Sequence, residues 1–119
     1  DQARKNFQAA QIPTSRARVI TGKANAVMAN MTEAAYDLVF IDVDPESVEA
    51  LLPNATSLVK PGGALVIAHA LWRDRVPNPA LRDDETSAYR SVIRAFEDSD
   101  EFFASISMLG DGLLIAVRK

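Results

Sequence analysis

Cysteine is absent from this chain of 119 residues. That excludes a disulfide scaffold, a zinc–thiolate site and a cysteine nucleophile. Histidine and tryptophan occur once each, as His69 and Trp72, so proton chemistry near neutral pH rests on a single imidazole. The five glycines, Gly22, Gly62, Gly63, Gly110 and Gly112, form no glycine-rich loop between a strand and a helix. An excess of positive charge is also missing: 13 Lys and Arg face 16 Asp and Glu, for a net charge of -3. Neither nucleic acid nor an anionic membrane surface is therefore an expected partner. No apolar run approaches the roughly 18 residues of a membrane-spanning helix, and no signal peptide opens the chain. The expected location is cytoplasmic.

What is present is the composition of one globular domain, residues 1–119, long enough to bury a core. Ala3, Phe7 and Ala10 share one helix face over the first dozen residues, with Asp1 at the N-terminal end. The chain opens in this helical pattern without an initiator methionine, and it is expected to be part of a longer protein. "RARVITG" alternates and is β-branched, predicting a strand at about 17–21. Ala24, Val27, Met28 and Met31 make a short helical stripe. "DLVFID" reads as a strand buried on both faces of a parallel sheet. Val48, Leu51, Leu52, Ala55, Leu58 and Val59 follow helical spacing, with Pro53 expected to restart or kink that helix. "VKPGG" is expected to end it in a Pro-Gly turn, and "ALVIAHA" is the next buried strand. A long polar loop covers 73–84. Tyr89, Val92, Ile93 and Phe96 then mark a last helix, and two strands follow, joined through Gly110-Asp111-Gly112 as a hairpin. This alternation predicts an α/β domain with a mainly parallel sheet and a closing antiparallel hairpin.

The chemistry gathers where strands end. In "YDLVFIDVDPE", Asp44 precedes Pro45 and a helical pattern, which is the arrangement of an N-cap followed by proline at the first helical position. Asp42 ends a buried strand, and ligands of open α/β sheets bind at that edge. It is either a ligand, metal or cofactor group or a carboxylate that stabilises its own loop. His69 ends the next strand and is either a general base or a loop histidine. Trp72 and the 73–84 loop form either a lid and substrate wall or a surface connection. Arg73 and Arg75 either face an anionic substrate or are solvated.

"YDLVFIDVDPE", "LVKPGGALVIAHALW", "DDETSAYRSVIRAF" and "LGDGLLIAVRK" occur in an order and spacing that resemble the C-terminal part of class I S-adenosylmethionine-dependent O-methyltransferases of the catechol/caffeoyl-CoA type. The resemblance covers nearly the whole chain. It implies a Rossmann-like sheet from which the first two strands, the glycine-rich turn and the ribose-binding acid are missing. The strand at 17–21 then lacks its neighbour, and "DLVFID" lacks one on one side. Unpaired strand groups are costly, so the gap is expected to close by direct pairing, by strand exchange in a homodimer, or by local disorder.

The resemblance also implies site residues. Lys23 and Ala24 match the loop flanking the adenine, and Asp42 and Val43 the loop beside the methionine portion. Asp42 matches one metal ligand of the metal-dependent members. Ala68 and His69 stand where an Asp-Asn pair would be, and Pro45 stands where the catalytic lysine would be. No metal is therefore expected, since alanine cannot ligate and histidine suits a hard cation poorly. "DVDP" with His69 resembles an actinobacterial branch, in which His69 is implied to replace the missing base. The expected function is methyl transfer to a hydroxyl of a small molecule by the full-length protein, with these 119 residues alone inactive. Two other classes fit some of the residues. "DLVFIDVDP" is also similar to the phosphoacceptor strand of receiver domains, though the acidic pair and the following lysine of that fold have no counterpart here. A non-catalytic dimerisation module is the third.

Overall fold

Most of the apolar runs take the form their period dictates, and the computed structural model describes all of residues 1–119. "YDLVFI" is strand β1 (Tyr36–Ile41). Asp44 then starts a helix over Pro45–Leu58. Gln2–Ala9 (α1) and Ala24–Met28 (α2) precede β1, so this helix is α3. Of the restart or kink expected at Pro53, the restart does not occur: the helix runs through it. β2 follows directly (Val59–Ala68), then α4 (Asp84–Glu97), β3 (Phe102–Ser107) and β4 (Leu113–Arg118).

The four strands lie in the order β1-β2-β4-β3. β1 and β2 are parallel, whereas β4 is antiparallel to both β2 and β3. The sheet is therefore mixed and open, with the expected hairpin at one edge. β4 inserts between β2 and β3, so the start of β4 lies beside the end of β2: Ala68 pairs with Leu113. That register decides where the chemistry meets.

Alternate residues of the strands face α3 and α4. Val48, Leu51 and Ala55 of α3 and Tyr89, Val92 and Phe96 of α4 close over Ile41, Leu65, Ile67, Leu114 and Ala116. Burial of such side chains contributes about 1.5–3 kcal/mol each before the cost of chain ordering. The other face carries no helix. Leu38 and Phe40 are 57% and 56% exposed on it. Leu38 pairs with Ala64, Ala64 with Val117, and Val117 with Phe103, so an apolar row crosses the whole sheet there. "DLVFID" is thus an edge strand buried on one face, not a central strand buried on two. The neighbour that would cover it is not among these residues.

The same cause overturns the strand expected at 17–21. Residues 17–21 have no regular structure and join no sheet. Their polar groups turn instead to α1, where the Arg4 guanidinium donates to the Val19 carbonyl at 3.2 Å and to Thr21 Oγ1 at 3.0 Å. Alternation alone does not make a strand, because a strand exists only as half of a pair. The "VKPGG" turn also differs from expectation. It lies inside β2 as an irregularity, the register jumping from Tyr36–Val59 to Leu38–Ala64. A Cβ on Gly63 would lie 2.9–3.0 Å from the carbonyl oxygens of Lys60, Asp37 and Tyr36, so only glycine permits this approach. Lys60 closes over the bulge and pairs with Asp37. Hydrogen bonding to Lys60, and its charge, hold the Asp37 carboxyl below its usual pKa.

Candidate active site

The two acids that follow β1 have separate tasks. Asp44 Oδ2 accepts from the Ser47 amide at 3.0 Å and from Ser47 Oγ at 2.7 Å. It is the N-cap of α3, and Pro45 occupies the first turn. Asp42 takes no part in the cap. Its carboxylate is exposed and lies 3.5 Å from His69 Nε2.

His69 leaves β2 in the left-handed region, at φ 60°, a conformation in which a residue with a side chain is uncommon. Its other nitrogen, Nδ1, lies 2.9 Å from Asp111 Oδ2. The imidazole therefore stands between two carboxylates, one from the loop after β1 and one from the turn before β4. The Asp111 turn is tied to the end of β2 by two backbone bonds, Ala70 N to Gly112 O at 3.1 Å and Leu71 N to Asp111 O at 3.0 Å. Asp111 Oδ1 also accepts from the Arg73 amide at 2.6 Å. A cavity of about 240 Å3 opens against His69, Asp111 and Leu109. A larger hollow, about 490 Å3, lies elsewhere, between α1 and residues 12–19, and no acid or histidine lines it.

Trp72, Arg73 and Asp74 all have positive φ. Consecutive residues in that region store strain, which is a feature of functional sites. The Trp72 indole packs on Tyr89 with centroids 5.5 Å apart and meets His69 edge-on at 6.3 Å. Its Nε1 donates to Glu85 Oε2 at 3.2 Å. Burial, and the nearby charges of Asp111, Asp42, Asp44 and Glu85, raise the Tyr89 pKa, so its phenol is protonated at neutral pH. Arg73 lies over the Trp72 ring at 4.8 Å, within cation–π range. Arg75 is engaged by Asp83 at 2.8 Å, both side chains partly exposed. This bond, with those from Thr86, holds the Asp83 carboxyl well below the usual carboxylate range.

The 73–84 loop is held in place by Arg90 of α4, whose guanidinium donates to the carbonyls of Val76, Leu81, Arg75 and Asn78. Neither Arg90 nor Asp111 stood out in the sequence. Asp111 read as part of a turn. Its role becomes visible only when β4 is placed antiparallel to β2, which carries the start of β4 to the edge where β2 ends.

Lys23 and Ala24 begin α2, exposed, with no side-chain cap. α2 is fastened to α3 by Asn25 Nδ2 to the Ala50 carbonyl at 3.1 Å and by Asn54 Nδ2 to Asn25 Oδ1 at 2.6 Å. No hydrogen bond joins Lys23 or Ala24 to Asp42 or Val43. Val43 packs partly against the core. The structure thus brings His69, Asp42 and Asp111 together, while Lys23 and Ala24 stand at the start of α2.

An α/β sheet with its ionisable side chains at the carboxyl ends of β1 and β2 is the arrangement in which open α/β sheets bind ligands. The chain belongs to the O-methyltransferase family, whose sequence model matches residues 2–119. It is 36% identical over 116 residues to an O-methyltransferase-family protein of Mycobacterium ulcerans, covering 98% of this chain and 52% of that protein. A crystal structure of a Corynebacterium glutamicum protein superposes with a TM-score of 0.91 at 30% identity, over 98% of this chain and 54% of that one. The fold is also that of an O-methyltransferase from Bacillus cereus in complex with SAH, with a TM-score of 0.84, 23% identity, and coverage of 98% and 56%. The chain spans about half the length of the curated relatives it matches. Family membership sets the receiver-domain reading aside.

For S-adenosylmethionine the fit is partial. Asp42, exposed and free of the α3 cap, offers an acceptor for an ammonium group. A glycine-rich turn from strand to helix is not among residues 1–119. No group of three or more acids or histidines is assembled as a set of metal ligands.

Proposed function

We propose that this chain is the catalytic-edge portion, a partial domain over residues 1–119, of an S-adenosylmethionine-dependent O-methyltransferase acting on a hydroxyl of a small molecule. Bound cofactor would supply an electrophilic methyl group. Lys23 and Ala24 flank its adenine side, and Asp42 and Val43 its methionine side. His69 Nε2 takes the proton of the acceptor hydroxyl, and the imidazolium so formed lies between Asp42 and Asp111. A positioned base of this kind contributes about 10²–10⁴-fold to rate. The observation that carries the reading is the placement of the only histidine, held in a left-handed conformation between two carboxylates at the ligand edge.

Two features bear on assembly. β1 has a free edge, and the sheet face bearing Leu38, Phe40, Val117 and Phe103 is apolar and bare. The reading is that further strands and helices, or a second copy in a homodimer with strand exchange, cover them, and that residues 1–119 alone do not turn over. A cytoplasmic enzyme is the matching location. No helix is long and apolar enough to cross a membrane, and the net charge of -3 favours neither a lipid surface nor nucleic acid.

The test is methyl transfer by the full-length protein from S-adenosylmethionine to a panel of phenolic and catecholic hydroxyls, with calorimetric binding of S-adenosylhomocysteine measured alongside. His69→Ala should reduce turnover at least ~10²-fold with cofactor affinity retained, while Asp42→Ala should weaken cofactor binding. Full activity in His69→Ala removes the histidine from the mechanism. Absence of cofactor binding by the full-length protein sinks the enzymatic reading and leaves a non-catalytic assembly module.

A further inference from the structure

We propose that Asp111 is a positioning residue that sets the tautomer of His69, placing the proton on Nδ1 and leaving the Nε2 lone pair facing Asp42 and the open edge. The catalytic use of that lone pair rests on the reading of His69 as the base. The tautomer itself does not.

The geometry is unequal on the two sides of the ring. Asp111 Oδ2 lies 2.9 Å from Nδ1, a full hydrogen bond, whereas Asp42 Oδ1 lies 3.5 Å from Nε2. A carboxylate only accepts, so the Nδ1–Asp111 bond exists only if Nδ1 carries hydrogen. A neutral imidazole has one N–H, and the bond made by one nitrogen decides the state of the other. Asp111 is also the better anchored acid. Its side chain is 25% exposed against 58% for Asp42. Its second oxygen is fixed by the Arg73 amide at 2.6 Å. Its backbone carbonyl accepts from Leu71 N at 3.0 Å.

The glycine beside it makes this fit. A Cβ on Gly112 would lie 2.5 Å from Leu71 Cγ and 2.9 Å from Leu71 N, so the turn reaches the end of β2 only with glycine there. Of the other ionisable groups nearby, Glu85 is bound to Trp72 at 3.2 Å, and the ring's hydrogen-bond partner is Asp111.

A purely structural role for Asp111, holding the Arg73 loop, is the competing account, and one substitution separates the two. Asp111→Asn keeps an oxygen for the Arg73 amide but turns an NH2 toward Nδ1. Nδ1 must then accept, and the proton moves to Nε2. His69 is the only histidine of residues 1–119, and in a long-range proton–nitrogen correlation spectrum its imidazole is identified as the signal lost in His69→Gln.

The measurement is made on the full-length protein, for parent and Asp111→Asn, at a pH where the ring's own nitrogen shifts show one protonated and one bare nitrogen. The expected result is protonated Nδ1 in the parent and protonated Nε2 in the variant, with the Arg73 amide shift retained. A parent ring protonated at Nε2, or a variant pattern identical to the parent, overturns the proposal; the first needs no variant to fold. Methyl transfer is read in parallel. If His69 is the base, Asp111→Asn lowers kcat by about 10²-fold with KM unchanged. A tautomer that inverts while kcat stays constant upholds the role of Asp111 and removes the base role of His69.

Discussion

Replacing Arg90 by alanine should unfasten the loop between β2 and α4. The Arg90 guanidinium donates to Val76 O at 3.0 Å, Leu81 O at 2.6 Å, Arg75 O at 3.2 Å and Asn78 O at 2.5 Å. One side chain thus satisfies four carbonyls of a segment that has no regular structure of its own. Hydrogen bonds to a charged group are worth about 1.5–3 kcal/mol each when the partners stay buried, and ordinary ones about 1 kcal/mol net. These groups are only partly buried, and water reaches the carbonyls once the loop opens, so the lower value applies. Four bonds at about 1 kcal/mol give a loss of about 4 kcal/mol. For a domain of this size that lowers Tm by roughly 15 °C. Arg90→Lys keeps the charge but not the planar fork and should recover less than half of the loss. Urea denaturation gives the energies. Amide exchange gives the location: protection should fall at Val76, Asn78 and Leu81, whose amides are bonded within the loop, and persist in β2 and α3. A loss below about 1 kcal/mol, or a lysine variant equal to the parent, would refute the reasoning that the fork orders the loop.

Gly112→Ala should cost about 1–3 kcal/mol, because the new Cβ meets Leu71 at 2.5 Å and φ is +85°. Gly110→Ala, with nothing within 4 Å, should cost less, and a thermal melt of both variants checks the order. Asp83 caps α4 and has a depressed pKa through Arg75 and Thr86. Its contribution is therefore present above the unfolded value of about 4 and is lost as pH falls through the lower folded value. Asp83→Asn should be less stable than the parent at pH 7, with the gap closing in strong acid when urea unfolding is repeated there. Phe40→Lys, on the bare sheet face, should change monomer stability by less than about 1 kcal/mol and, if that face is the contact of the proposed homodimer, weaken self-association in sedimentation. Unchanged association would remove this face from any dimer contact.

How far the sequence carried can be judged element by element. The helices over 45–58 and 84–97 and the strands around 36–41 and 64–68 follow from apolar period, which is a local property of the chain. The cap at Asp44 was legible for the same reason, since its partner Ser47 is three residues away. The strand expected at 17–21 had the right alternation and failed, because pairing needs a neighbour that alternation does not supply. The KPGG segment read as a turn became a bulge, because β1 pairs on both sides of it.

The site divides along the same line. Period and composition alone determined that Asp42 and His69 end successive strands, and so lie on one edge of a sheet. Only tertiary structure decided what flanks the imidazole. Asp111 is 42 residues from His69 along the chain and reaches it because β4 runs antiparallel to β2. Arg90 finds its four carbonyls because α4 packs beside the loop. Local pattern specifies which residues stand on which face of an element. Which elements become neighbours depends on how buried surfaces and backbone partners are shared across the whole fold, and that sharing put two carboxylates on one histidine.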